Sequence, residues 1–415
     1  PRVVAEAPAL VSQRRLYDRD RDHIVELLQL AADQRPRSPR TDQRNVKVVA
    51  SRLGREPRDF SARLTEMVMR DPQIRLETSK FLENKQLETA DTQRDKSTEK
   101  ERYILLGDVQ FVNGDATSSG DGSAENPFPS IQQGANTVFG AQNVYVYNAS
   151  RPYNENVVLQ AGTTLWGSGS LIPGYDGKSF GSGIPPIVDG MSRGPSITMA
   201  NRTTVRGFHI RNTDMGGPDQ MIIIPGFPTF DISRVGIYGN NATDLTITDN
   251  LISGNETGVL LPRIGDFNLS FVNNRVHQND LNGMWIQANG GGIGSFNADI
   301  SGSTFSQNGE AGLQVASADY EWNLARIRDS HFLDNTESGL DLTQATSDLA
   351  MALISGSQAS GNGGAGIQIQ QNGNLFGLAN VSGSSANDNL GGGISNLQHS
   401  ADVSIGVIGM PNGLG

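Results

Sequence analysis

Between residues 236 and 392, hydrophobic and polar positions recur in one fixed order. Each repeat has a core strand, an Asn or Ser, an apolar residue, an Asn and a Gly, and then an apolar–x–apolar strand. The Asn before the Gly lies at Asn255, Asn279, Asn308, Asn335, Asn362 and Asn389. Five residues earlier is a second column, Asn250, Asn274, Ser303, Ser330, Ser357 and Ser384. Successive Asn residues are separated by 24, 29, 27, 27 and 27 residues, so the repeat is about 27 residues long.

The spacing within each repeat is that of β-strands. Apolar residues recur at i and i+2, as in Met284/Ile286 and Leu340/Leu342, and not at the spacing of a helix face. A fixed period predicts a solenoid, because one repeat cannot bury its apolar face without its neighbours. About 27 residues fit three short strands and three bends, which is one coil of a parallel β-helix. Equivalent residues of successive coils would then stack about 4.8 Å apart.

This stacking turns the two polar columns into predicted ladders. Side-chain amides at a bend can hydrogen-bond to the coils above and below, and so satisfy polar groups that the interior would leave unpaired. We therefore interpret the Asn column as structural and not as a ligand site.

The first hundred residues have a different character. Ile24, Leu27, Leu28 and Ala31 have helical spacing, a second candidate helix covers 60–68, and 84–102 is almost entirely polar. We predict a charged N-terminal segment over 1–103, partly helical or disordered. The solenoid follows over 104–415, with its beginning and cap at 104–140 and its regular repeats at 236–392.

Charge and composition exclude several kinds of function. Residues 1–100 hold 21 Lys and Arg against 17 Asp and Glu, whereas the remainder holds 12 against 27. An acidic solenoid does not attract nucleic acid or an anionic membrane. There is no Cys, which excludes disulfides and thiolate chemistry.

The beginning of the predicted solenoid resembles a known family. The segments "VQFVNGDATSSGDGSAENPFPSIQQGANTV" and "NVYVYNASRPYNENVVLQAGTTLWGSGS" are similar to the opening of pectate-lyase-like right-handed β-helix proteins. The matching residues are Gly120, Asp121, Gly122, Asn126, Pro127, Phe128, Ile131, Tyr145, Tyr147, Tyr153, Glu155, Val158, Leu165, Gly167 and Gly169. With the repeats, the resemblance covers about three quarters of the chain. It implies an all-β, right-handed parallel β-helix, a fold that carries lyases, hydrolases, phage spikes and inert surface proteins.

A second resemblance concerns the segment 62–77, "ARLTEMVMRDPQIRLE". Through Arg63, Glu66, Val68, Arg70 and Asp71 it looks like the junction between barrel and passenger in inverse autotransporters related to intimin and invasin. The resemblance implies an extracellular or cell-surface protein, held at a membrane only through an anchor outside this sequence. The chain begins at Pro1 with no leader, so we expect a removed signal or a longer parent protein.

The search for catalytic chemistry is mostly negative. The column before the closing Asn (Gly254, Gln278, Gln307, Asp334, Gly361, Asp388) places its acids two coils apart. The column before the second ladder (Asp249, Asn273, Gly302, Asp329, Gly356, Gly383) places them three coils apart. Neither predicts the close carboxylates of a glycosidase or a calcium site. His277 and His331 occupy different columns.

Three short motifs have both a functional and a structural interpretation. Asn212-Thr213-Asp214 matches the first motif of polygalacturonases and Arg326-Ile327-Arg328 loosely resembles their last, but the motifs between are absent. We interpret both as chance. Asp121 and Glu125 could hold Ca²⁺, although a capping turn is the favoured interpretation; no other cofactor is predicted.

The insertion 214–234, "DMGGPDQMIIIPGFPTFDISR", carries an apolar run bounded by Gly and Pro. Loops that interrupt a solenoid often carry function. Candidate binding residues are Met221, Ile222, Ile223, Ile224, Phe227 and Phe230. They would either pack over the side of a coil or form a contact surface for a partner.

We therefore expect a non-catalytic surface β-helix that serves as a stalk or passenger in adhesion or assembly and binds a protein or polysaccharide ligand. The alternative is a carbohydrate-active enzyme or carbohydrate-binding module on the same fold. A concave face with three or more acids and an Arg, or a row of exposed aromatics, would favour the alternative, and we expect neither. The last coil, with Ile394, Val403, Ile405, Val407 and Ile408 and no charge after Asp402, predicts end-to-end self-association.

Overall fold

A computed structural model describes residues 109–117, 119–137, 143–170, 172–173, 179–180, 183–224, 227–374, 376–399 and 403–408. The chain divides into two units, Pro1–Lys100 and Glu101–Gly415, and every described residue belongs to the second. The predicted N-terminal helices, the polar linker and the 62–77 segment lie outside the described residues. The boundary at 103/104 stays a prediction. Among the described residues, no helix is long and apolar enough to cross a membrane.

The described residues form a parallel β-helix in which each coil contributes up to three strands, one to each of three rows. The first row contains β3 (Val157–Val158), β8 (Ile197–Met199), β13 (Val235–Gly239), β16 (Thr257–Ile264), the beginnings of β19 (Met284–Ser301) and β21 (Leu313–Arg328), β23 (Leu340–Ala345), β26 (Ile367–Asn372) and β29 (Ile394–His399). The second row contains β1 (Val109–Val112), β2 (Asn143–Val146), β4 (Thr164–Gly167), β9 (Thr204–Arg206), β14 (Leu245–Thr248), β17 (Phe267–Val272), the ends of β19 and β21, β24 (Leu349–Ser355), β27 (Phe376–Ser382) and β30 (Val403–Ile408). The third row contains β7 (Ile187–Asp189), β10 (His209–Arg211), β15 (Leu251–Ser253), β18 (Arg275–His277), β20 (Thr304–Ser306), β22 (His331–Leu333), β25 (Gln358–Ser360) and β28 (Ser385–Asn387).

Two short hairpins leave the coils, β5 (Ile172–Pro173) with β6 (Ser179–Phe180) and β11 (Met221–Ile222) with β12 (Phe230–Asp231). A single turn of helix, α1 (Ile131–Asn136), lies near the first coil. Its N-cap Ser130 accepts a hydrogen bond from the Gln133 amide, and Glu155 accepts from the amides of Ile131 and Gln132 at 2.9 Å each. The Asn-Pro-Phe segment therefore leads into a helix, as the resemblance to the pectate-lyase-like family implied.

The predicted columns stack in register. Ile247 pairs with Phe271, which pairs with Ile300, and the column continues through Ile327, Ile354 and Val381. All six side chains are buried in one continuous apolar core. Because parallel rows need every coil to present an apolar residue at the same place, this register confirms the predicted fold class and its period of about 27 residues.

Both predicted ladders are present. Asn335 Nδ2 donates to Asn362 Oδ1 at 2.9 Å, and Asn308 Nδ2 donates to Asn335 Oδ1 at the same distance. In the second ladder, each backbone amide donates to the next side chain, as from Asn250 to Asn274 Oδ1 (3.0 Å) and from Ser357 to Ser384 Oγ (3.1 Å). These bonds satisfy buried polar groups at two edges of the coil.

Steric contacts explain why Gly occupies the last position of each repeat. A Cβ on Gly312 would lie 2.7 Å from the Gly339 carbonyl oxygen and 2.8 Å from Asn335 Nδ2. Gly258, Gly283 and Gly339 meet the same two neighbours, the carbonyl of the next Gly and the amide of the next ladder Asn. The Gly column therefore lets the first row pass close to the Asn ladder, which explains why the two recur together.

A third polar ladder lies inside the corner between the first and second rows and was not predicted. Gln371 Nε2 donates to Gln344 Oε1 at 2.8 Å, and both side chains are completely buried. Gln344 Nε2 also donates to the backbone oxygens of Asn323 and Met351. These amides satisfy carbonyl groups where the strand direction turns.

Candidate functional site

The insertion 214–234 contains a short β-hairpin, in which β11 pairs with β12. Met221 pairs with Asp231 and Ile222 with Phe230 in antiparallel register. Because side chains alternate across a strand, the apolar run divides between two sides. Phe230 is buried against the outer side of the coils, where Ile222, Ile224 and Phe227 pack around it.

Of the six candidate binding residues, these four pack on the coils, while Met221 and Ile223 are 57% and 78% exposed. The interpretation that the run packs over the coils therefore holds for four of its residues, and the other two are exposed. Whether the exposed pair binds a partner stays a prediction.

The hairpin packs on an outward column of the first row. That column runs through Tyr238, Leu260, Trp285, Gln314, Asp341, Gln368 and Ser395, each paired with the next. Tyr238 and Leu260 are buried beneath the hairpin, and the rings of Phe230 and Trp285 meet edge to face with 5.1 Å between centroids. The hairpin contacts therefore reach as far along the column as Trp285, which is only partly buried.

A second column consists of the residues that lie two positions before each closing Gly. It contains Arg234, Glu256, Leu281, Glu310, Glu337 and Gly364, and successive members are joined by backbone hydrogen bonds of 2.7–3.3 Å. We define the acidic face as the outward side chains of Trp285, Gln314, Asp341 and Gln368 together with this second column.

The two columns considered in the sequence analysis, before the closing Asn and before the second ladder, are left-handed bends. Their φ angles are 54–72° in the first column and 48–59° in the second. Asp, Asn and Gly are favoured there by backbone conformation, so those acids have a structural reason.

At one end of the acidic face, Arg234 gathers three carboxylates. Its Nη2 lies 2.6 Å from Asp280 Oδ2, and its Nη1 lies 3.6 Å from Asp214 Oδ2 and 3.8 Å from Glu256 Oε2. Three acids therefore share one Arg here, which is the combination that would favour the alternative function if it lay on a concave face. Asp214, which we had interpreted as part of a chance tripeptide, belongs to this cluster, whereas Asn212 is buried and bonds to the backbone of Gly194 and Val235.

Farther along the face, the charge of Glu337 acts on both Glu310 and Asp341. Burial raises the pKa of Glu310, and the negative charge of Glu337 raises it further. Burial also raises the pKa of Asp341, with Glu337 again adding to the effect. A carboxyl with a raised pKa can hold a proton nearer neutral pH, which is the property required of a general acid. These three acids lie outside the two columns considered in the sequence analysis.

Asn282 connects the acidic face to the coil. Its side chain is only 4% exposed, and its Nδ2 donates to Glu310 Oε2 at 2.6 Å. Its Oδ1 has no hydrogen-bond partner, and neither do Asp341 Oδ1 and Gln287 Oε1. Buried acceptors without donors are costly, so these three atoms lower the stability of this part of the coil.

The acids of the acidic face were missed because both columns considered in the sequence analysis lie one residue before a ladder residue, whereas Glu310 and Glu337 lie two positions after the Asn. Glu256 is also displaced by one position, since Gly258 follows Asn255 by three positions but Gly283 follows Asn279 by four. Glu256 and Glu310 therefore lie at different offsets from the ladder, although both lie two residues before the Gly. Counting back from the Gly would have aligned Arg234, Glu256, Glu310 and Glu337.

The other candidate motifs have structural roles. Asp121 Oδ1 accepts a hydrogen bond from the Ser123 amide at 2.9 Å, which makes a capping turn, and Glu125 is exposed. Asp299 is buried between Arg326 (3.1 Å) and Arg328 (2.9 Å), so this pair of arginines neutralises an acid of the coil. Within the part of the chain that the structure describes, no three His, Asp or Glu residues are grouped to hold a metal ion.

These coils and ladders define a right-handed parallel β-helix. The chain matches the family described as "Right handed beta helix region" over residues 136–322 and 235–406, and it belongs to that family. A comparison with curated proteins found no match.

Solved structures share the fold at low identity. A pectate lyase, Pel9A, is 12% identical with a TM-score of 0.40 and is covered over 79% of its length by 73% of this chain. The Dettilon tailspike protein is 13% identical with a TM-score of 0.33, over 64% of this chain and 54% of that one. A GH136 lacto-N-biosidase from Eubacterium ramulus is 10% identical with a TM-score of 0.30, over 79% and 75%. These similarities concern the fold alone.

Proposed function

We propose that the protein is a carbohydrate-active β-helix that binds a polysaccharide along its acidic face. The observation that carries the proposal is that one face holds Trp285, Asp341 two coils farther along the same column, and Glu310 and Glu337 on the coils that follow Trp285. An aromatic ring offers an apolar platform for the C–H face of a sugar, and carboxylates and amides accept hydrogen bonds from its hydroxyl groups. The parallel coils repeat such groups about every 4.8 Å, which suits a long, repetitive ligand.

The hairpin β11–β12 supports the same proposal. It packs on Tyr238 and Leu260 and contacts Trp285 through Phe230. The ring of Trp285 is thereby held in one orientation at the beginning of the open part of the column. A fixed aromatic ring loses little conformational entropy when a ligand binds, which is the usual benefit of a preorganised site.

The test is binding to a panel of neutral, anionic and amino-substituted glycans, measured by affinity electrophoresis and calorimetry. For a glycan that binds, Trp285→Ala should weaken the Kd at least about tenfold, equivalent to about 1.4 kcal/mol. Trp322→Ala is the matched control, because Trp322 lies on the second row and pairs with Leu349. Equal loss in both variants, or no binding to any glycan, contradicts the proposal.

Cleavage of a glycosidic bond is the second candidate function. Glu310 and Glu337 occupy neighbouring coils, and the charge of Glu337 raises the pKa of Glu310. Two carboxyls of which one retains its proton are the requirement for acid-assisted hydrolysis of a glycoside. New reducing ends that are lost in both Glu310→Gln and Glu337→Gln, but kept in Asp329→Asn, would support it. A glycan that binds and stays intact rejects cleavage and leaves binding in place.

The role of stalk or passenger in adhesion would require only the stiffness of the coils. No described residue supports that role over recognition of a glycan. An extracellular location is compatible with either function and stays a proposal, as does end-to-end association through the last coil.

A further inference from the structure

The outward side of the third row differs in charge from the rest of the β-helix. Beyond residue 100 the chain holds 12 Lys and Arg against 27 Asp and Glu. The parallel register of the third row sets two outward columns: Ile187, His209, Leu251, Arg275, Thr304, His331, Gln358 and Ser385 in one, and Asp189, Arg211, Ser253, His277, Ser306, Leu333, Ser360 and Asn387 in the other. Five of these residues are Arg or His, and only Asp189 is acidic.

Four of the five basic side chains lie on two coils. His209 and Arg211 belong to one coil, and Arg275 and His277 belong to the second coil after it. Ser253 lies on the coil between them. Because successive coils are about 4.8 Å apart, the two basic coils are separated by about 10 Å. Arg275 is exposed and the other four residues are half-buried, so all five can meet a ligand. We call these five residues the basic patch.

Two contacts orient the basic patch. His209 Nε2 and Ser253 Oγ lie 3.0 Å apart, in a hydrogen bond that joins neighbouring coils. Arg211 Nε donates to Asp189 Oδ2 at 2.8 Å, and Asp189 is buried, so the guanidinium is fixed on the surface of the coil with 37% of its side chain exposed. Among the described residues, no ion pair includes Arg275. The patch therefore combines two oriented side chains with one unpaired cation.

The positive charges of the basic patch act on one another. Burial lowers the pKa of His209, and the charges of Arg211 and His277 lower it further, while Asp189 acts in the opposite direction. Burial also lowers the pKa of His277, and the charge of Arg275 adds to the effect. Both imidazoles therefore carry a proton only at acidic pH, unless a bound anion stabilises the charged form.

The acids next to the basic patch have partners of their own. Asp249 Oδ2 lies 2.8 Å from Arg206 Nε, and Asp280 Oδ2 lies 2.6 Å from Arg234 Nη2. The fifth basic residue, His331, has an Asp two positions before it and another three positions after it, so its coil has no net positive charge. The positive charge of the third row is therefore concentrated on the two coils of the patch.

The chemistry of the basic patch favours a sulfate ester as its ligand group. The oxygens of a sulfate accept hydrogen bonds from guanidinium, imidazolium and hydroxyl groups alike, and the anion relieves the repulsion among the cations. A sulfate ester also stays ionised at the acidic pH at which the imidazoles gain their charge, whereas a carboxylate begins to lose its own. Nucleic acid is disfavoured, because bases stack on aromatic rings and the outward columns of the third row hold no Phe, Tyr or Trp.

We propose that the basic patch binds a sulfated polysaccharide that lies along the third row, with one sulfate held by His209 and Arg211 and another by Arg275 and His277. A sugar ring in an extended chain is about as long as the spacing between coils, so two basic coils with one coil between them match a sulfate on every second sugar. The hydroxyl of Ser253 faces the unsulfated sugar. This site lies on another row than the acidic face and does not rest on the function proposed for that face.

The experiment compares three oligosaccharides of equal length by calorimetry. They are a carrageenan fragment with a sulfate on every second sugar, the same fragment after desulfation, and a galacturonate oligomer. We expect the sulfated fragment to bind at least about tenfold more tightly than either of the others, with a Kd that weakens when salt rises from about 0.01 M to about 0.15 M. Its Kd should tighten from about pH 7.5 to about pH 5, because the imidazoles become charged while the sulfate stays ionised.

Three variants locate the binding. Arg275→Gln should weaken the Kd for the sulfated fragment about tenfold at both pH values, because it removes a charge-assisted hydrogen bond. His209→Gln and His277→Gln should weaken it mainly at about pH 5, and so flatten the dependence on pH. The matched control is Arg202→Gln, which removes the same charge from an exposed turn between β8 and β9, at the corner between the first and second rows, and should leave the Kd unchanged.

Each other outcome overturns the inference. Equal binding of the desulfated fragment removes the role of the sulfate, and equal or tighter binding of the galacturonate oligomer or of a single-stranded DNA oligomer assigns the patch to another polyanion. Equal weakening by Arg202→Gln reduces the effect to net charge. Binding that none of the three patch variants weakens, in proteins with unchanged circular dichroism, lies on a different surface.

Discussion

Removing one amide from the buried Asn ladder should destabilise the whole β-helix. Asn335 is the clearest position, because it is only 2% exposed and its side chain makes four hydrogen bonds. Its Oδ1 accepts from the backbone amide of Asn308 (3.1 Å) and from Asn308 Nδ2 (2.9 Å). Its Nδ2 donates to the carbonyl of Phe305 (3.1 Å) and to Asn362 Oδ1 (2.9 Å).

Asn335→Ala removes all four bonds, although Asn308 Nδ2 keeps the carbonyl of Val276 and Asn362 Oδ1 keeps the backbone amide of residue 335. Each net hydrogen bond contributes about 0.5–1.5 kcal/mol, and some of the loss is recovered as neighbours relax. We therefore expect the free energy of unfolding to fall by about 3 kcal/mol, a large value for one side chain. The matched control is Asn387→Ala, since Asn387 is exposed on the third row and should change stability by no more than about 0.5 kcal/mol.

The assay is equilibrium unfolding in denaturant, followed by circular dichroism and by amide hydrogen exchange. Hydrogen exchange is needed because long repeat arrays can lose two-state behaviour, so that local opening escapes a single global probe. The coils containing Asn308 and Asn362 should lose protection first. If Asn335→Ala and Asn387→Ala unfold alike, with the same protection in those coils, the ladder does not stabilise the stack in the way argued here.

Two further predictions concern the hairpin and the acids. Phe230→Ala should lower the free energy of unfolding by about 3 kcal/mol because Phe230 is buried. Ile223→Ser, at an exposed position of the same hairpin, should change it by no more than about 0.5 kcal/mol. Equal effects of the two variants in thermal unfolding would contradict the packing of the hairpin. The folded-state pKa of Glu310 is raised above 4.5, so its ionised form opposes folding at neutral pH and ceases to do so as the pH falls through its folded pKa. Glu310→Gln should therefore raise the free energy of unfolding at neutral pH, and this gain should shrink toward pH 4.5 and below. The measurement is a series of unfolding curves at different pH values. A gain that grows as the pH falls would refute the raised pKa.

The fold could be predicted because its determinants are local and repeated. Alternation of apolar residues sets the strands, and the period of about 27 residues sets the coil. Once coils stack, Asn308 and Asn335 must be neighbours, and so must Phe305 and Phe332, whose rings stack at 5.3 Å. A repeat that occurs several times also averages out errors in any one coil, so the register was correct over the whole array.

The Gln ladder could not be predicted from the repeat pattern. Gln344 and Gln371 recur at the repeat distance, yet Gln on an alternating strand usually faces solvent. Only the turn from the first to the second row places their amides inside the coil, where Asn323 and Met351 offer carbonyl groups. The path of the backbone at that corner depends on contacts between coils, and no pattern within one repeat specifies it.

The sequence by itself determined the class of fold, the rows of strands and the two predicted ladders. The tertiary structure decided the acidic face. It brought Asp214, from the insertion, and Asp280, from a later coil, to the guanidinium of Arg234, and it placed Phe230 against Trp285. The physical reason is that stacking is enforced by backbone hydrogen bonds that recur in every coil. The face depends instead on one insertion folding back over the coils and on a turn whose length differs by one residue between repeats.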